Sequence, residues 1–460
     1  MKGGKMNFND LMKVQRDYFY TGKTRSYESR INALKTLKKA INTYEVKIME
    51  ALSVDLGKSA FEAYSTEVGF SINSINHAIS NLSHWMKNEK VSLPIHQIGA
   101  KAYRTYEPYG VVLIIAPFNY PFQVLIEPLI GAIAAGNTAI VKPSEYTVET
   151  TQIMKELFEE FFDERFIKLV EGEREEVSQL IHMPFDYIFF TGSVPVGKVV
   201  MKAASENLVP IALVLGGKSP AIVHHDADLE TTARRILWGK MLSAGQTCIA
   251  PDYILVHESV KDELQEIMIK VLHEFFSENP KLSPDYGRII NKKHFVRLVD
   301  LINQDQVITG GYYDKDELFI APTIMTDVQL TDKIMADEIF GPILPIMTYH
   351  KVEEAIKIIR TFDKPLALYV FSETEGIQKI FVENISFGGG CINDTISHVA
   401  SVDLPFGGVG SSGIGRYHGE DSFKTFSNQK SILKKTTKFS LKMIFPPYKN
   451  NIKWVRKILG

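Results

Sequence analysis

The sequence predicts an α/β protein built as two parallel-sheet domains. Three observations carry that prediction. Short continuous apolar runs, "GVVLIIAP" (110–117), "NTAIVKPS" (137–144), "FIKLVEG" (166–172) and "DYIFFTG" (186–192), are rich in Val, Ile and Phe and end in Gly, Pro or Ser. Helical stretches separate them, and uninterrupted apolar strands alternating with helices describe a parallel sheet covered on both faces. A second series starts near residue 211, with strands "PAIVHH", "YILVHES" and "PLALYVFS" and helices "LETTARRILWGKMLSAG" and "VKDELQEIMIKVLHEFF". An active site is expected in the crevice between the two domains.

The remaining elements follow in order. The first ninety residues read as helices, with apolar residues three and four apart in "SRINALKTLKKAINTYEVKIMEALSVDL". The polar interval "NEKVSLPIHQIGAKAYRTYEP" alternates as a β-hairpin does. At 460 residues, 45% apolar and 23% charged, the chain has an ordinary globular mix with ample core. A net charge of −2 supplies no field for nucleic acid. Two cysteines, Cys248 and Cys391, exclude a disulfide framework and favour a reducing compartment. The first residues, "MKGGKMNFNDLMKVQRDYF", lack a signal peptide's apolar core, and no run of about 18 apolar residues occurs. A cytoplasmic protein is expected. Lys430 to Gly460 is rich in Lys and Arg without Asp or Glu, and carries Phe439, Met443, Ile444, Phe445, Tyr448 and Trp454. Such a tail rests on an anionic bilayer surface or packs over the domain or a partner subunit; composition leaves both readings open.

Several motifs bear on chemistry. "GGVGSSG" spaces Gly408, Gly410 and Gly413 as G-x-G-x-x-G, yet no βαβ unit surrounds it, so it reads as a tight loop. "YIFFTGSVPVGKVVMKAA" has the better context: a buried strand ends at Thr191, Gly192 and Ser193 turn the chain, and Gly197 lies in the opening of a helix whose N-terminus suits a pyrophosphate. Cys248, in "SAGQTCIAPDY", follows a helix in a small polar loop, which fits a nucleophile better than Cys391 in "GGGCIND". His224 and His225 sit at a strand end, where neighbouring side chains point to opposite faces, so no metal site is expected. Asn119 alone reads as a turn residue after "AP".

Taken together and in order, "APFNYPF", "AAGNTAIVKPSE", "FFTGSVPVGK", "LGGKSP", "GQTCIAPDYILV", "EIFGPILP" and "LPFGGVGSSGIGRYHG" resemble the NAD(P)-dependent aldehyde dehydrogenase superfamily. The likeness is colinear from about residue 10 to 450, and it is nearest to class 3, including the bacterial branch that acts on a carotenoid aldehyde. The resemblance implies a Rossmann-type cofactor domain (1–89 and 108–210), a catalytic domain (211–412), a small β oligomerisation element (90–107 and 413–437) serving a homodimer, and a basic tail (438–460). It implies that Cys248 is the nucleophile that attacks a hydrophobic aldehyde, with Asn119 and the Cys248 N–H as oxyanion donors. Lys142 and Glu145 then match the pair at the adenosine ribose, a carboxylate there favouring NAD while leaving NADP possible. Glu338 and Phe340 match the residues at the nicotinamide ribose and ring.

One position departs from the pattern. Where hydrolytic members carry a glutamate that activates water, "ALVLGGKSP" has Val214. Loss of a general base slows a step by about 10²–10⁴, so release of the thioester is expected to be impaired. Three accounts stand: an ordinary hydrolytic enzyme altered at this position, replacement of the base by another group such as Glu338, or transfer of the acyl group to coenzyme A. A different class is a non-catalytic protein that holds cofactor or aldehyde without turnover.

Overall fold

Apolar residues three and four apart on one helical face bury that face. In the computed structural model, which describes residues 7–438, 445–448 and 451–459, the amino-terminal helices run Phe8–Tyr20, Tyr27–Leu56 and Gly69–Trp85. The Ser26 side chain caps the second by accepting from the Ser29 N–H, and Gly57, at φ 67°, ends it in the left-handed region. Its buried Leu34, Leu37, Ile41, Ile48 and Leu52 face the core, with Val148–Phe161 and Gly69–Trp85 as neighbours. A short link carrying Lys58, the helix Ala60–Ala63 and a π-helical turn, Tyr64–Val68, join the second long helix to the third.

The first sheet has six strands in the order Gly413–Ile414, Ile211–Leu215, Tyr187–Gly192, Val111–Ile115, Thr138–Lys142 and Ile167–Leu169. Every pairing is parallel except that of Gly413–Ile414. Strand order reverses beside Val111–Ile115, so a switch point opens outside the carboxyl ends of Val111–Ile115 and Tyr187–Gly192. Val111–Ile115 and Thr138–Lys142 are buried along their whole length, as the apolar runs "VVLII" and "AIV" require.

The second sheet has seven strands: Val307–Thr309, Thr323–Met325, Ile343–Tyr349, Tyr253–His257, Pro220–Val223, Ala367–Phe371 and Gly389–Ile392. Only the first pairing is antiparallel. The expected hairpin forms between Glu89–Val91 and Ala100–Pro108, and Ser427–Lys435 adds a third antiparallel strand along its other edge.

Two expectations are corrected. The sequence pattern starts the second series near residue 211, yet Ile211–Leu215 belongs to the first sheet, where it pairs with Tyr187–Gly192. Its Leu213 and Leu215 join the cluster that holds Val200 and Ala203 of the helix Val194–Glu206. A four-residue crossover, 216–219, then delivers the chain to Pro220–Val223 in the other sheet. His224 and His225 do not point apart: their ring centroids lie 4.1 Å from each other and 5.9 and 5.1 Å from His257. The strand ends at Val223, so two-residue alternation no longer governs them. Among the described residues, no His, Cys, Asp and Glu group is arranged to hold a metal.

In the tail, Phe439, Met443 and Ile444 lie outside the described residues. Phe445, Tyr448 and Trp454 are exposed, and Ile452–Leu459 is helical. Among the described residues, no helix is long and apolar enough to cross a membrane.

Candidate functional site

The sheets meet with opposite polarity. The first contributes its carboxyl ends: Asn119 follows Val111–Ile115, Lys142 ends its strand with Glu145 just beyond, and Gly192 and Ser193 close Tyr187–Gly192. The second contributes the loops before its strands, with Cys248 ahead of Tyr253–His257 and Glu338 and Phe340 ahead of Ile343–Tyr349. The crevice collects residues that are distant in sequence.

Cys248 sits in a loop whose backbone is over-determined. Ser243, Ala244 and Gly245 occupy the left-handed region at φ 51°, 50° and 76°, a conformation that costs non-glycine residues about 1–3 kcal/mol and tends to mark functional sites. Gly245 is required for a further reason: a Cβ there would stand 2.2 Å from the Gly341 carbonyl oxygen. The Cys248 loop therefore rests backbone to backbone on the loop of Glu338 and Phe340. Burial, followed by the charge of Glu338, pushes the Cys248 thiol up to about 12.

Asn119 is buried and is held through its carbonyl oxygen, which accepts from Lys58 Nζ at 2.9 Å and from Ser243 Oγ at 3.5 Å. Its neighbour Tyr120 shares a 2.8 Å hydrogen bond between its hydroxyl and Thr247 Oγ1, one residue before Cys248. The Ser243 N–H donates to Glu62 Oε1 at 2.7 Å. The loops of Asn119 and Cys248 are thus tied to each other and to residues 58–67.

Val214 is 3% exposed and shares its face of the strand with Ala212 in the large core cluster. Its backbone pairs with Thr191 and Gly413. An isopropyl group enters the core where a carboxylate was sought, so this strand supplies no proton acceptor.

Glu338 lies over the crossover that follows Val214. A Cβ on Gly216 would be 2.0 Å from its Oε2, so only glycine admits the carboxyl there. Burial, then the charge of Asp252, pushes Glu338 up to about 8, against the Gly217 N–H, which favours ionisation. Its loop is anchored by Lys218, whose Nζ contacts Asp252 Oδ2 at 2.6 Å and donates to the Ile334 and Asp337 carbonyls at 3.1 and 2.9 Å. Asp252 Oδ1 in turn accepts from the Ile339 N–H at 2.9 Å. Nearby Lys240 is wholly buried, its Nζ has no hydrogen-bond partner, and burial lowers it to about 8.

The residues present fit a dinucleotide. Thr191 Oγ1 is buried at the strand end without a partner, and the Ser193 side chain leaves the first N–H groups of Val194–Glu206 uncapped. Gly197 lets that helix lie close on the sheet, since a Cβ would meet Leu215 Cδ2 at 2.7 Å. Lys142 is buried, donates to the Pro143 carbonyl at 2.6 Å and lies 3.7 Å from Glu145; burial lowers its ammonium and Glu145 counters part of that shift. A cavity of about 970 Å³, lined by Val170, Gly172 and Glu173 among others, opens beyond the neighbouring strand Ile167–Leu169. Phe340, strained at φ 53°, meets Phe118 with ring centroids 5.7 Å apart, and Phe118 meets His294 and Tyr146 at 5.2 and 6.1 Å. An aromatic wall therefore runs from beside Glu145 to Phe340.

Sequence reading missed Lys58, Glu62 and Glu67, the Lys218–Asp252 pair and the wall residues Phe118, Tyr146 and His294. A signal existed for the first group, because "DLGKSAFEAYSTEVGF" puts charges within a segment otherwise patterned for burial. Cys391 is held 3.4 Å from His398 Nδ1, and burial pushes its thiol up to about 11.

Known proteins share this sequence pattern and fold. The profile described as "Aldehyde dehydrogenase family" matches residues 2–432. A 4,4'-diaponeurosporen-aldehyde dehydrogenase from Staphylococcus aureus is 52% identical over 441 residues, 95% of this chain and 96% of its own. A rat aldehyde dehydrogenase named "dimeric NADP-preferring" is 43% identical over 430 residues, covering 94% and 95%. A solved structure described as the substrate-bound state of Staphylococcus aureus AldH superposes with a TM-score of 0.97 at 50% identity, over 99% of this chain and 100% of that one. With this fold, this crevice and these relatives, the chain belongs to the class 3 branch of the aldehyde dehydrogenase family, enzymes that oxidise aldehydes to acids with NAD or NADP.

Proposed function

We propose that the chain oxidises hydrophobic aldehydes (fatty, aromatic or apocarotenoid) through a covalent Cys248 intermediate, and that Val214 slows its release. After losing its proton, Cys248 adds to the aldehyde carbon; the C–S bond forms as the carbonyl electrons move onto oxygen. The Asn119 amide and the Cys248 N–H donate to that oxyanion. Glu338 and Phe340 would hold the nicotinamide end of a dinucleotide, Lys142 and Glu145 its adenosine ribose and Gly192, Ser193 and Gly197 its pyrophosphate, and that cofactor would supply the hydride acceptor. The Cys248 thioester is released when water adds to its carbon and the thiolate departs. That addition needs a proton acceptor, and Val214, 3% exposed in the core, offers none.

A second reading has Glu338 as the replacement base, favoured by its place over the crossover two residues past Val214 and by its rise to about 8. Transfer to coenzyme A and a binding-only protein are the remaining alternatives. A carboxylate at Glu145 favours NAD over NADP by repelling a 2′-phosphate. The rat relative's name and the open edge of Ser427–Lys435 support a homodimer. The basic tail supports a cytoplasmic enzyme that touches anionic membrane.

The test is rapid mixing with a medium-chain aldehyde and NAD, with and without coenzyme A, on this chain and on Val214→Glu. One equivalent of NADH per site, then a nearly flat phase that the glutamate converts to steady turnover, is expected. Steady turnover of the parent that Glu338→Gln reduces to a single NADH burst selects the second reading, and dependence on coenzyme A selects transfer. Absence of NADH from both proteins leaves the binding-only reading.

A further inference from the structure

The buried ion pair between Lys58 and Glu67 has a place in the geometry that its charge alone does not explain. Both side chains are fully buried, an arrangement whose desolvation cost is of the same order as its Coulombic gain. Hydrophobic residues of similar size would serve stability as well. What the pair does is reach the oxyanion loop from both sides. Lys58 Nζ donates to the Asn119 carbonyl at 2.9 Å and stands 3.8 Å over the ring centroid of Tyr120. Glu67 Oε2 accepts from the Phe122 and Gln123 N–H groups at 2.9 and 3.2 Å. Glu67 lies in the π-helical turn Tyr64–Val68, a local irregularity of the kind found at functional sites. The same Asn119 carbonyl accepts from Ser243 Oγ, in the strained loop that leads to Cys248.

We propose that Lys58, held by Glu67, is a positioning residue that fixes Asn119 relative to Cys248. The inference rests on the reading of Cys248 as nucleophile and Asn119 as oxyanion donor. Lys58 touches no reacting atom. It satisfies the carbonyl of the residue whose side-chain amide must meet a developing negative charge, and its partner pins the N–H groups of Phe122 and Gln123 farther along the same loop. A donor displaced by about 1 Å loses much of its effect on the transition state.

The test uses p-nitrophenyl acetate, which acylates Cys248 without cofactor: the thiolate adds to the ester carbon, and nitrophenolate departs with its electron pair. The burst rate constant of nitrophenolate release is measured for the parent, Lys58→Met, Asn119→Ala and the double variant, with NADH bursts alongside. Lys58→Met is expected to lower the burst rate constant ten- to hundredfold, with the half-saturating ester concentration unchanged. Asn119→Ala is expected to lower it by about 10²–10³. If Lys58 acts through Asn119, the double variant is no slower than Asn119→Ala alone. Should Lys58→Met fold poorly, Lys58→Met/Glu67→Gln removes both charges while keeping an acceptor for the Phe122 N–H, and the same comparison is made there. A burst within twofold of the parent, or losses that multiply in the double variant, overturns the proposal. A parent with a nitrophenolate burst and no NADH would sink the oxidation reading alone, and a parent with neither would sink both.

Discussion

Residues in this crevice act through what burial does to their protons. Cys248 is pushed up to about 12, so its thiolate is a small fraction at neutral pH. Its alkylation by iodoacetamide should rise about tenfold per pH unit between pH 7 and 10, followed by mass spectrometry of its peptide. A plateau near pH 8 would show that another group lowers the thiol in solution. Glu127 is the clearest stability case. It is 2% exposed, its Oε1 has no partner, and burial pushes it up to about 8 from an ordinary 4.5. Between those values the unfolded chain has released the proton while the folded chain keeps it. Stability is therefore lost as pH rises from about 4.5 to about 8 and levels off above. Glu127→Gln removes that dependence, so its gain in melting temperature over the parent should grow across this window. A gain that stays constant from pH 5 to 9 would refute the assignment. The polar loop of Cys248 set it apart from Cys391, while its role as nucleophile came only with the ordered motifs of the family. Asn119 could not, because its role depends on the thiol 129 positions later, which no local pattern encodes.

Elements owe their places to a few buried contacts between loops. The glycines of "LGGKSP" and its lysine have separate tasks. Gly216 leaves room for Glu338, and Lys218 clamps the loop 334–339 through Asp252 and two carbonyls. Lys218→Met strands the Asp252 charge with side-chain exposure of only 4%, and losing one partner of such a pair costs about 3–5 kcal/mol. We expect a matching fall in chemical-denaturation midpoint and weaker NADH binding by fluorescence titration. Lys218→Met/Asp252→Asn, which keeps an acceptor for the Ile339 N–H, should recover most of the stability. No recovery would mean that the lysine stem, rather than its charge, supports the loop. The strands themselves were legible because uninterrupted apolar runs have few alternatives. Strand Ile211–Leu215 was assigned to the wrong series because the turn 216–219 that separates the two sheets is too short to register as a boundary.

On the scale of the whole molecule, the two sheets are joined by a core in which both contribute, and the small sheet reaches outward. Its strand Ser427–Lys435 carries mostly exposed side chains and stands at the edge of the sheet. The tail beyond it holds exposed Phe445, Tyr448, Ile452 and Trp454 among basic residues. Truncation after Lys438 should leave the melting temperature and the oligomeric state unchanged while abolishing co-sedimentation with vesicles containing phosphatidylserine. If the truncated protein instead melts earlier or changes its oligomeric state, the tail packs on the protein and the membrane reading fails.

The sequence by itself determined the α/β class, the strand and helix series, the family resemblance, and the absence of a proton acceptor at position 214. Those features are local: periodicity, composition and motif order survive without knowledge of contacts. Only the tertiary structure decided that Ile211–Leu215 joins the first sheet, that His224 and His225 face each other, and that Lys58, Glu62 and Glu67 hold the loops of Asn119 and Cys248. Each of those depends on which residues distant in sequence share a buried space, where an unpaired charge is costly enough to dictate its neighbours.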